Sequence, residues 1–151
     1  MKKFLLSLVF ISVLNCKADP QTCTFTGTPF ICDRFSVSVI GTNSNLCNKD
    51  AGLITVDIKN TAIFPVSGLS FVVTLTGPQN PPPQVFNFPE SSPFLSGQIL
   101  TVSFPGLPNG TYSVTTQVLD STGHVVCTFS CTNIVVTNRK CPILPFLCCC
   151  R

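Results

Sequence analysis

The chain has 151 residues, with ten cysteines, thirteen phenylalanines, one tyrosine, no tryptophan and a formal charge of +3. Beyond the first 18 residues, six basic side chains (Arg34, Lys49, Lys59, Arg139, Lys140, Arg151) face six acids (Asp19, Asp33, Asp50, Asp57, Glu90, Asp120), so that part is close to neutral. It has no cluster of Lys and Arg to neutralise phosphates or an anionic bilayer, which argues against nucleic acid and against electrostatic membrane docking.

The N-terminus opens with Met1-Lys2-Lys3 and an apolar run from Phe4 to Leu14. Asn15-Cys16-Lys17-Ala18 then places small side chains at the positions a signal peptidase reads, with the cut after Ala18. At about 1.5 Å per residue the run is too short to span a bilayer, so residues 1–18 read as a secretory signal peptide. A buried N-terminal element and a lipid-modified Cys16 are the weaker alternatives. A secreted chain meets an oxidising compartment, which makes bridges the expected state of Cys23, Cys32, Cys47, Cys127, Cys131, Cys141, Cys148, Cys149 and Cys150. Their number is odd, so one thiol stays free or bonds to another molecule.

Residues 19–52 form a cysteine-bearing lead-in. Gly27-Thr28-Pro29 reads as a small loop that a Cys23–Cys32 bridge could close, and Phe35, Val37 and Val39 share one face of a first strand. Turn-rich stretches follow at residues 41–45 and 48–52.

Residues 53–137 form the regular body. Ile54, Val56 and Ile58 alternate with Thr55, Asp57 and Lys59, the signature of a half-buried strand. Asn60 to Gly68 reads as a loop with Phe64-Pro65 tucked beneath it. Phe71, Val73 and Leu75 then mark a strand that stops at Gly77-Pro78. The prolines at 78, 81, 82 and 83 cannot supply ladder hydrogen bonds, so Val85 to Phe88 is at best a short edge strand before the Pro89–Ser96 loop. Leu100, Val102 and Phe104 face one way, as do Tyr112, Val114, Thr116 and Val118, and Val125, Cys127 and Phe129. Pro108-Asn109-Gly110 and Ser121-Thr122-Gly123 join these runs as turns, and Ile134 to Val136 extends the last or adds an edge.

About seven short strands and no amphipathic helical window after Ala18 predict an all-β, antiparallel, immunoglobulin-like sandwich. A Cys47–Cys127 bridge across it would close a loop of about eighty residues, worth roughly 4–5 kcal/mol in the chain-entropy model.

Three segments carry a resemblance. Ile54 to Thr61 resembles the early strand of adhesion-type repeats, Gly106 to Tyr112 is similar to their L-x-P-G-T-x-Y corner, and Val118 to Gly123 is like the hairpin that follows. Residues 54–120 thus resemble the immunoglobulin-like and fibronectin type III-like sandwiches of secreted and cell-surface proteins. That resemblance implies a corner role for Tyr112, bonding nearby backbone. Pro65 to Gly68 and Gly110 to Cys127 bear a fainter similarity to the MD-2-related lipid-recognition sandwich, which implies a lipid as the partner under that alternative.

The chemistry-bearing residues point away from catalysis. His124 stands alone in a hairpin, Asp57 is on a wet strand face, Asp120 opens a turn, and no two carboxylates are spaced as an acid–base pair. No phosphate-cradling glycine loop occurs, and no cofactor is expected. Cys127-x3-Cys131 and Cys148-Cys149-Cys150 lack finger-like spacing for zinc, and one carboxylate at Asn48–Asp50 is too few for calcium, so no metal site is expected.

Phe64, Phe86, Phe88 and Phe94 lie in or beside proline-rich loops, where they either cap the sandwich or form an apolar contact patch. Asn109-Gly110-Thr111 is the one N-glycosylation triplet, besides being a plain turn. The tail, residues 138–151, is too short to span a membrane. Its adjacent cysteines favour cross-linking between chains over pairing within one domain, and a cut at Arg139-Lys140 is the other option. The expectation is a secreted, non-enzymatic protein of extracellular adhesion or surface assembly, acting through a protein partner or self-association. The alternatives are a small lipid carrier and a secreted inhibitor or effector.

Overall fold

The computed structural model describes residues 20–42 and 52–137. The proposed signal peptide, the Asn48–Asp50 turn, Cys16, Cys47, Cys141 and Cys148–Cys150 lie outside those residues.

The chain runs β1 (Gln21–Thr22), β2 (Thr24–Gly27), α1 (Pro29–Cys32), β3 (Phe35–Thr42), β4 (Gly52–Asn60), β5 (Leu69–Thr76), β6 (Gln84–Phe88), β7 (Ile99–Leu107), β8 (Gly110–Leu119) and β9 (Val125–Val136). Two antiparallel sheets form, one ordered β1-β3-β4-β7 and the other β2-β9-β8-β5-β6. The seven longer strands divide three and four, with crossings between sheets at β4–β5, β6–β7 and β7–β8. This is an immunoglobulin-like sandwich, as the alternation predicts.

Side-chain period two decides which residues meet between the sheets. Val37, Val39, Ile54, Val56, Ile58, Val102 and Phe104 from one sheet face Phe71, Val73, Leu75, Val114, Val118 and Phe129 from the other, all buried. On β9 the register slips twice. Val118 pairs Cys127 while Leu119 pairs Val125, so Val125 is exposed and does not share the buried face of Cys127 and Phe129 as its spacing predicts. At the second slip Tyr112 pairs Ile134 while Val114 pairs Cys131, so β9 carries one extra residue, and Asn133 sits there at φ 61°. Asparagine is among the few non-glycine residues that adopt this left-handed region readily. The bulge turns Ile134 and Val136 back into the core, so the Ile134–Val136 run extends β9.

β1 and β2 are in effect one strand that changes sheets at Cys23. Thr22 pairs Ser38 on β3, Thr24 pairs Ser130 on β9, and the Cys23 N–H donates to Val37 O at 3.0 Å. This strap fixes the disulfides as Cys23–Cys131 and Cys32–Cys127. Both expected pairings are therefore corrected. Cys23 leaves Cys32 because strand pairing carries it to β9, and Cys127, bonded to Cys32, is not available to Cys47. The Gly27-Thr28-Pro29 turn also leads into a helical turn, since Pro29 presets φ at the first helical position. At Gly27 a Cβ would meet Val126 O at 2.7 Å and Cys127 Cα at 2.9 Å, so only glycine lets the strap lie this close to β9.

The corner between β7 and β8 behaves as the resemblance implies. The Tyr112 ring is buried, its Oη donates to Pro108 O at 2.9 Å, and burial pushes its phenol above the ordinary value. A side chain on Gly77 would collide with that ring.

Candidate functional site

Four connections gather at one end of the sandwich: the α1–β3 turn, the 61–68 loop, the 89–98 loop and the 120–124 hairpin. Asn60, the last residue of β4, ties two of them together. It is fully buried among apolar side chains, so its polar atoms must find partners. Its Nδ2 donates to Phe94 O at 2.8 Å and Phe64 O at 3.4 Å, and its Oδ1 accepts from Ala62 N at 2.9 Å. Its main chain holds the same loops, donating to Gln98 O at 3.0 Å and accepting from Gly97 N at 2.9 Å. Val66 and Phe94 exchange backbone hydrogen bonds of 2.9 and 2.8 Å, and Ser96 Oγ donates to Ala62 O at 2.6 Å. Thr61 joins the α1–β3 turn through Arg34 O at 2.8 Å and Asp33 O at 3.1 Å.

This bonding splits the expected phenylalanine patch. Phe94 is only 1% exposed and packs with Phe35, Phe71 and Phe88, ring centroids 4.7–6.3 Å apart. Phe86 and Phe88 are half-buried against the core on the edge strand β6. Only Phe64 faces solvent, and neither it nor Pro65 is tucked under the loop, because Val66 fills that place. The exposed apolar side chains at this end are instead Phe30 (73%), Ile63 (84%), Phe64 (54%) and Leu95 (53%), with Ile99 at the start of β7 and Val125 at the start of β9. Sequence reading missed Phe30, Ile63, Leu95 and Ile99 because three of the four stand in loops or turns without a burial period, and Ile99 only opens β7. One signal was available: between Lys59 and Asp120 the sole charged residue is Glu90.

The rim is polar. The Arg34 guanidinium lies 4.4 Å from the centre of the Phe30 ring, a cation–π contact. In the hairpin, Asp120 Oδ1 accepts from Thr122 N (2.9 Å), Thr122 Oγ1 (2.6 Å) and His124 N (3.0 Å). The Thr122 hydroxyl, followed by the His124 amide, holds the Asp120 carboxyl below its ordinary pKa. His124 is exposed, with Nδ1 3.1 Å from Thr122 Oγ1. An open cleft of about 310 Å³ runs beside this hairpin, with Leu69, Phe88 and Leu119 among its lining residues and Asp120 at its edge.

Among the described residues no three His, Cys, Asp or Glu side chains come together as metal ligands. Asp57, on the outer face of β4, accepts from Thr101 Oγ1 at 2.7 Å. No helix of the described residues is long and apolar enough to cross a membrane. Asn109 is exposed at the opposite end, between β7 and β8.

Fold and site together define a small disulfide-bonded sandwich with one apolar end. No protein-family model and no curated protein matches the chain. Among solved structures, a Bacteroides fragilis protein described as a β-galactosidase aligns at 17% identity and TM-score 0.41, over 62% of this chain and 16% of that one. Chicken MD-1, solved in complex with lipid IVa, aligns at 10% identity and TM-score 0.26, over 66% of this chain and 91% of that one. The chain thus spans under a fifth of the first of these, and neither TM-score is high enough to bear on function.

Proposed function

We propose that this chain is a secreted, non-enzymatic binding protein that works in extracellular adhesion or surface assembly and meets a protein partner through its Asn60 end. The observation that carries the reading is the exposure of Ile63, Phe64 and Leu95 on loops that Asn60 fixes from beneath, with Phe30 on α1, whose following turn Thr61 ties to the same end. An apolar centre on a fixed backbone, with Arg34 and Asp120 as its charged neighbours, has the anatomy of a protein-binding surface. A pre-ordered surface also loses less entropy on association. Two disulfides support the extracellular setting. Against the lipid-carrier alternative stands the filling of the space between the sheets at this end by Phe35, Phe71 and Phe94.

The test is a binding isotherm of the full chain with the partner cross-linked to it in secreted fractions, or with itself by sedimentation. Ile63→Asp with Leu95→Asp should weaken that binding at least tenfold, about 1.4 kcal/mol or more, with thermal stability unchanged. Unaltered affinity in a folded double variant would refute the assignment of this end. Lipid co-purifying in native mass spectra would favour the carrier instead.

A further inference from the structure

At the end of the sandwich away from Asn60, β7 turns into β8 through Pro108 and Asn109. We propose that Asn109 is a modification site that carries one N-linked oligosaccharide. Asn109-Gly110-Thr111 is the acceptor triplet, and it occurs once in the chain. The fold places it where a glycan is tolerated. Asn109 and Thr111 are both exposed, while the Pro78 ring occupies the space that a side chain on Gly110 would need. The corner is tied by Tyr112 Oη donating to Pro108 O, so a substituent on Asn109 Nδ2 leaves that tie in place. Val135, half-exposed and apolar, pairs with Thr111 across β8 and β9, and the first sugars would lie beside it.

The reaction is a group transfer without redox change. Asn109 Nδ2 attacks the anomeric carbon of an oligosaccharide joined to a lipid diphosphate. The carbon–nitrogen bond forms, the bond from that carbon to the diphosphate oxygen breaks, the lipid diphosphate leaves, and the amide gives up one proton. The donor and the transferase belong to the secretory pathway, so this proposal rests on the secretion part of the functional reading and not on its binding part. Its structural consequence is directional. Nine-residue strands at about 3.3 Å per residue separate the two ends by about 30 Å, so a glycan here covers one end and leaves the apolar one open.

The experiment expresses the full chain in a eukaryotic secretory host and treats protein from the medium with peptide N-glycosidase. Wild type and Thr111→Ser should shift to a single smaller species, with Asn109 recovered as an aspartate in the released peptide. Asn109→Gln and Thr111→Ala should not shift, and agreement between these two independent losses separates glycan loss from misfolding. Secreted wild type that never shifts, or a shift that survives Asn109→Gln, overturns the site. Protein retained in the cytosol overturns both the site and the secretion reading.

Discussion

Thr116 and Asn60 are the two buried polar side chains of the described residues, and they have opposite consequences. The Thr116 hydroxyl points into the core from β8 and meets no partner. A buried hydroxyl without a hydrogen bond costs about 1–3 kcal/mol, so Thr116→Val, which replaces it with a methyl group, should raise stability by about 1 kcal/mol. A higher urea midpoint at unchanged slope would show it. Asn60 has all its side-chain partners. Asn60→Ala strands Ala62 N and Phe94 O in the interior and should cost about 2–4 kcal/mol. Asn60→Asp should do at least as badly, since a carboxylate oxygen would then face the carbonyls of Phe64 and Phe94. Asp120 sets a pH dependence. Its folded pKa is lowered, so its contribution is complete above the ordinary carboxylate value of about 3.9 and is lost as pH falls through the lower folded value. Asp120→Asn keeps an acceptor for Thr122 and His124 but has no charge to lose. Urea midpoints followed down the acid limb should therefore fall less steeply for the variant than for wild type.

At the scale of elements, the strands were legible and the cross-links were not. Ile54-x-Val56-x-Ile58 and Phe71-x-Val73-x-Leu75 state their buried face in the sequence, because neighbouring residues of a strand point opposite ways. Cysteine pairing depends on which strands become neighbours, and no local pattern carries that. The register Thr24↔Ser130 and Gly27↔Cys127 brings both strap cysteines to β9 from about a hundred residues away. The site was half legible for the same reason. Phe64 was visible as an apolar loop residue, but the burial of Phe94 follows from its bridge to Val66, a tertiary contact. The two bridges are nested, and this makes their energies unequal. With either one intact, the other closes a ring of only roughly 15 residues, worth about 3 kcal/mol, whereas the last remaining bridge closes about a hundred residues, worth about 5 kcal/mol. Removing Cys23 and Cys131 together, or Cys32 and Cys127 together, should therefore cost about 3 kcal/mol, and removing all four about 8. Denaturant midpoints of the three variants check this, and additive costs near 5 and 5 would refute the nesting.

Across the described residues, parts of the strand edges are covered and most of the large exposed apolar side chains stand at one end, with Phe25, Val85 and Val135 elsewhere. β1 covers Ser38 and Val39 on the outer side of β3, and β2 covers Cys127 to Ser130 on that of β9. On the other flank, Gln84 Nε2 of β6 donates to Ser103 O of β7 at 3.1 Å, joining the two remaining edge strands. Prolines 81–83 and Pro89 stop β6 from lengthening, and Pro105 interrupts the outer side of β7. Strand addition is thereby disfavoured where the strap and the prolines lie, which leaves contact with another molecule chiefly to side chains. Isolated exposed hydrophobes are ordinary on protein surfaces, while contiguous ones drive association. Val85 on β6 is 57% exposed, much like Phe64 and Leu95, but it stands apart from their cluster. Val85→Lys should consequently leave retention on a hydrophobic-interaction column and binding of an apolar dye unchanged. Ile63→Lys with Leu95→Lys should lower both, with no change in thermal midpoint because neither side chain packs in the core. Equal effects from the two variants would mean that total exposed apolar area, and not its concentration at the Asn60 end, governs how this protein meets others.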